Sequence, residues 1–125
     1  MSNIEALRKE ALPEAPSTPG ITRYLAFEGE DYLILRSKAE PGAVSAWHHH
    51  GEYEVFGFII SGSEKLEYGP MGEENILVDV GDFFHILPGT VHRDVNPSPD
   101  EGQEALLYLR GSGPVVVNVD GPDAS

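Results

Sequence analysis

Residues 42–54 read Gly42-Ala-Val-Ser-Ala-Trp-His48-His49-His50-Gly51-Glu52-Tyr53-Glu54, placing three of the chain's five histidines in one run. The run continues into the apolar stretch Val55-Phe-Gly-Phe-Ile-Ile60 and so is not a terminal tag. In a strand, His48 and His50 leave the same face and His49 leaves the other, because successive side chains alternate. Glu54 shares the parity of His50. A straight strand would put it roughly 13 Å beyond, at ~3.3 Å per residue. Donor atoms on one ion lie about 2.0–2.2 Å from it. For Glu54 and the histidines to meet, the chain has to turn between them, and Gly51 stands where the turn belongs. With that turn, three imidazoles (His92 being the third) and one carboxylate would suit a borderline divalent ion with open positions. The structural alternative is three surface histidines at a strand end and a buried, hydrogen-bonded His92.

Outward from this run the chain reads as short β segments broken by turn residues: 21–27, 32–37, 43–48, 53–60, 64–68, 76–80, 83–87, 105–109 and 115–119. Gly29, Pro41-Gly42, Ser61-Gly62, Gly69-Pro70, Gly81-Asp82, Pro88-Gly89 and Asn96–Pro99 separate them. Many short strands at such spacing predict a sandwich or closed barrel. Upstream, residues 3–12 carry Ile4, Leu7 and Ala11 at helical spacing behind a capping Asn3. This predicts one short helix, stopped by the prolines at 13, 16 and 19. The division expected is residues 1–20 as helix and connector, 21–120 as one barrel domain, and 121–125 as a frayed tail. Several strands are apolar on both faces, so an outer face needs cover from the N-terminal segment or a second copy; a homodimer is expected.

Composition narrows the partners. The chain of 125 residues has 21 acidic residues against 8 basic ones, a formal net charge of -13. That balance opposes binding to nucleic acid or an anionic membrane surface, both of which need lysine and arginine. The absence of cysteine removes disulfides, thiolate metal sites and cysteine nucleophiles. No signal-like or membrane-length apolar run is seen, so a cytoplasmic location is the expectation.

Two spaced motifs then give a specific resemblance. Gly42, His48, His50 and Glu54 follow Gly-(x)5-His-x-His-(x)3–4-Glu-(x)6-Gly, with the closing Gly62 one residue late. Gly81, Gly89, His92 and Asn96 follow Gly-(x)5-Pro-x-Gly-(x)2-His-(x)3-Asn, with Leu87 at the proline position and Pro88 next to it. Over residues 42–96 the chain resembles the cupin superfamily. The resemblance implies an all-β fold, a double-stranded β-helix or jelly-roll barrel. It implies one divalent metal (Fe, Mn, Ni, Co or Zn) held on the inner wall by His48, His50, Glu54 and His92. It further implies action on a small organic substrate, of oxygenase type or of lyase or isomerase type. The alternative is a non-catalytic module that senses or stores a small ligand or metal. The late glycine calls for a bulge, expected at Gly57. Were it nearer Glu54, the carboxylate would turn away and leave a site of three histidines. His85, Arg93 and Asn96 are read as packed, ion-paired or turn-bonded, with a substrate contact as the competing role. Trp47, Phe56, Phe58 and Phe84 are read as core or pocket wall.

Overall fold

The structure is a computed structural model in which residues 3–123 are described. Among these residues ten strands form: β1 (Ile21–Gly29), β2 (Tyr32–Ala39), β3 (His48–His49), β4 (Glu54–Ser61), β5 (Glu64–Tyr68), β6 (Glu74–Val78), β7 (Phe83–Ile86), β8 (His92–Val95), β9 (Gln103–Arg110) and β10 (Val117–Asn118). They make two five-stranded antiparallel sheets, ordered β1-β2-β9-β4-β7 and β10-β3-β8-β5-β6. The sheets face each other as a jelly-roll barrel, with β6 and β7 as the free edges on one side.

Alternation along the long strands builds the core. Ala105, Leu107 and Leu109 of β9 point inward while Glu104, Leu106, Tyr108 and Arg110 point out. Leu33 and Leu35 of β2, Val55 and Ile59 of β4, and Leu66 and Val78 from the second sheet complete the cluster. Each aliphatic side chain buried this way contributes about 1.5–3 kcal/mol relative to exposure. The interior is not wholly apolar, however: Arg23, Ser37, Glu64, His48, His50, His92 and Gln103 are also buried.

Gly51 makes the expected turn. Its φ of 59° lies in the left-handed region, and the Tyr53 amide donates to the His50 carbonyl at 3.1 Å. The expected bulge exists but lies elsewhere. The β4–β9 register shifts between Ile59 and Ser61, so Ile60 is the extra residue. Gly57 has a different reason to be glycine: a Cβ there would lie 2.1 Å from the Phe84 ring that packs over it.

The predicted helix over 3–12 is not formed in the described residues; a single 3-10 turn, Lys9–Ala11, takes its place. Isolated helices of this length are marginal in water unless a face is buried, and Leu7 is largely exposed. The connector instead runs beside β1, where the Ala15 amide donates to the Arg23 carbonyl and Leu25 to Pro13. Around Val44 only an isolated bridge to Val95 forms, and β8 is a strand that hydropathy did not suggest. At the other end the Met71 amide donates to the Asp123 carbonyl at 2.6 Å. Residues 124–125 of the expected tail, like 1–2, lie outside the described residues. No helix among the described residues is long and apolar enough to cross a membrane.

Candidate metal centre

β3 and the turn at Gly51 bring His48 and His50 together, and β8 supplies His92, which pairs directly with His48. One potential ligand atom from each of the three lies within 4.8 Å of the others. All three side chains are buried. Their orientation is fixed from behind. The Nδ1 atoms lie 2.9 Å from backbone carbonyls: His48 to Ala46, His50 to Val115 and His92 to Thr90. An Nδ1–H donating to a carbonyl leaves Nε2 as the lone-pair nitrogen, the arrangement that metal-ligating histidines use. Burial, together with the facing imidazoles and Arg23, pushes the His50 pKa down to about 3. Burial dominates at His92 as well, and its pKa is about 4. Both rings are therefore neutral at physiological pH, as ligands have to be.

The structure does not bring Glu54 to this group. Val55, Gly57 and Ile59 point into the barrel, so Glu54, one residue before Val55, leaves the outer face. There its carboxylate pairs with His85 Nε2 at 2.6 Å and with Arg110, its cross-strand neighbour on β9. Those two hydrogen bonds hold it below the usual carboxylate range. The motif allows three or four residues between the second histidine and the acid. Counted with four, the inward position is Val55, which is 1% exposed, and Gly62 falls in its proper place.

Beside Nε2 of His48 lies an ionic cluster that the sequence reading did not find. Arg23 Nη2 and Asp94 Oδ2 approach His48 Nε2 at 3.4 and 3.3 Å. Burial and the neighbouring Asp94 charge raise the Glu64 carboxyl well above its ordinary range. Gln103 donates to Glu64 Oε1 at 3.1 Å, and Glu64 lies beside Asp94. Asp94 is two residues from His92, and that parity was the available signal. The remaining candidates are structural. His49 turns away and its Nδ1 accepts from the Gly51 amide. Asn96 donates to the Glu40 and Glu101 carbonyls. Arg93 pairs with Glu67 and lies over Trp47 at 4.7 Å.

The fold agrees with the comparisons. The family model described as "Cupin domain" matches residues 35–108, more than half of the chain. The chain belongs to the cupin family. Among solved structures, this cupin is similar to an uncharacterized conserved protein with a double-stranded β-helix domain from Klebsiella pneumoniae. The identity is 22% and the TM-score 0.73, covering 96% of this chain and 99% of that one. It is also similar to the polyketide cyclase RemF of Streptomyces resistomycificus (18% identity, TM-score 0.75, 93% and 85% covered). Oxalate decarboxylase from Bacillus subtilis matches at 17% identity and TM-score 0.73, over 95% of this cupin and 33% of the decarboxylase. At these identities the likeness concerns fold. No curated protein matches the sequence.

The donor set fits a metal. Nitrogens bound at about 2.0–2.1 Å from one ion lie some 3–4 Å apart, so a cluster within 4.8 Å closes with small side-chain movements.

Proposed function

We propose that His48, His50 and His92 hold one divalent ion (Fe, Mn, Ni, Co or Zn), and that the barrel acts on a small organic molecule beside it. The observation that carries this is the convergence of three buried imidazoles, each tied at Nδ1 to a carbonyl. When bound, such an ion supplies Lewis-acid or redox chemistry. The chain's own part is to bring three imidazoles together, keep those of His50 and His92 unprotonated by burial, and hold His48 against Arg23. Structural relatives whose names include a polyketide cyclase and an oxalate decarboxylase are compatible with catalysis, of oxygenase type or of lyase or isomerase type.

Elemental analysis of purified or reconstituted protein tests this reading. About one ion per chain is expected, and it should be lost in His48→Ala, His50→Ala and His92→Ala. His49→Ala should keep it, because that ring faces away. An empty wild type after reconstitution with all five metals defeats the proposal.

A second reading, a binding module without turnover, draws on the neighbouring cavity. Among the described residues lining it, none is Asp, Glu, Lys or Arg to move a proton. Dioxygen uptake and product formation over a panel of acids and phenols separate the two. A homodimer also belongs to the proposal. Phe56, Leu106, Tyr108 and Phe83 are exposed on the outer face of the first sheet. Arg36 and Arg110 are balanced there by Glu104 and Glu54, so this patch is nearly neutral on a strongly acidic molecule.

A further inference from the structure

A cavity of about 420 Å³ opens between the free edges of β6 and β7 and reaches His92. Its wall is built by Leu66, Ile76, Val78, Phe84, Ile86 and Leu87. The polar groups on it are few: Tyr68, Thr90 and His85, the last already engaged by Glu54, besides His92 itself. Such a lining rejects sugars, whose hydroxyls would lose water without finding partners. It rejects polyanions for the same reason, as no lysine or arginine of the described lining would meet them. A diacid as small as oxalate would leave nearly all of the apolar wall unfilled. What the cavity can reward is an apolar body of ring size, since pockets of this volume suit small organic ligands and apolar contact drives their binding.

The other end of the ligand is set by the histidines. Val55 stands on the inward face of β4, so β4 adds no carboxylate to the three imidazoles. Buried Arg23 and Asp94 offset each other beside His48. A divalent ion there would keep close to its full charge, and an anionic oxygen donor is the group that best compensates it.

We infer that the substrate is an apolar-bodied monoanion: an aromatic or branched-alkyl group in the β6–β7 cavity, and one carboxylate or phenolate-type oxygen directed at the three histidines. This inference rests on the metal reading above and extends it to the substrate class.

The probes are 3-phenylpropionate, the neutral 3-phenylpropanol, acetate and oxalate, titrated calorimetrically into cobalt-loaded protein of measured cobalt stoichiometry. The visible cobalt bands are recorded in parallel. 3-Phenylpropionate should bind at least tenfold more tightly than acetate or oxalate and shift the cobalt bands. 3-Phenylpropanol should bind at least tenfold more weakly than 3-phenylpropionate and leave the bands unmoved. Ile76→Gln/Leu87→Gln, altering two exposed rim positions, should lower 3-phenylpropionate affinity about tenfold with acetate affinity and cobalt content unchanged. Oxalate binding as tightly as 3-phenylpropionate, or an unaffected double variant, overturns the apolar body. Equal binding of the acid and the alcohol overturns the anionic head. In either case full cobalt occupancy would leave the metal reading standing. A protein that takes up no cobalt yet prefers the phenyl probes would overturn that reading and the head group together.

Discussion

Val55 and Glu54 are adjacent in the chain and face opposite sides of β4. A carboxylate in the inward position would make a fourth ligand, whereas in the outward one it joins His85 and Arg110 in a half-exposed ion cluster. Glu54→Gln should therefore leave metal affinity within about twofold of wild type, while His50→Ala should lose at least 100-fold, more than the 10–100-fold typical of supporting groups. Competitive titration against a chromogenic chelator reads both. A large loss in Glu54→Gln would mean that the carboxylate reaches the ion. The histidines were legible in the sequence because alternation alone decides which of 48, 49 and 50 share a face. Glu54 was misplaced because the motif permits two spacings, and a slip of one residue exchanges the faces of a strand. The deciding signal was Gly62, which fits only the longer spacing. Of the Arg23–Asp94–Glu64 cluster only Asp94 was legible, through its parity with His92 on β8; Arg23 and Glu64 lie far from it in the chain, and each reads as a surface residue on its own.

Strands announced by apolar alternation, such as β2, β4 and β9, could be read from sequence, and those built around polar ligands could not. β8 is His-Arg-Asp-Val, with His92 and Asp94 turned inward, so the chemistry of the site erased the pattern that would have marked the strand. The N-terminal segment failed in the opposite way: it has helical spacing, but Ile4 and Leu7 are exposed, so no buried face stabilises a helix there. Within β4, the Phe84 ring lying over Gly57 makes a sharp packing test. Gly57→Ala forces that ring aside, and overpacking of this kind costs about 1–3 kcal/mol. Urea unfolding should show the loss, and Gly57→Ala/Phe84→Leu should recover part of it. A Gly57→Ala variant as stable as wild type would mean that the ring does not sit there.

For the molecule as a whole, three buried groups set how stability follows pH in the metal-free state. His50 and His92 titrate near 3 and 4 when folded, below the ordinary histidine value of ~6.5. Between those values the unfolded chain binds protons that the native state refuses, so each lowers stability on acidification by about 1.4 kcal/mol per pH unit. Glu64 has the opposite sign. Its folded pKa is raised by burial, so its contribution is present below the unfolded value of about 4.5 and is lost as pH rises. From pH 6 to 5 the two histidines together lower stability by about 2–3 kcal/mol, and Glu64 opposes part of that fall. Glu64→Gln removes the opposing member and should steepen that fall in chelator-treated protein. An unchanged slope would show that Glu64 is ionised in the fold. The carbonyls that orient the histidines also have a consequence for biosynthesis. Those of Ala46 and Thr90 lie two residues from the rings they hold, but His50 depends on Val115, and β3 is bordered by β10 at residues 117–118. A nascent chain that has already exposed all three histidines still lacks the acceptor that aligns His50. If His48, His50 and His92 hold an ion as proposed, the site that receives it is complete only once the segment around Val115 and β10 has docked.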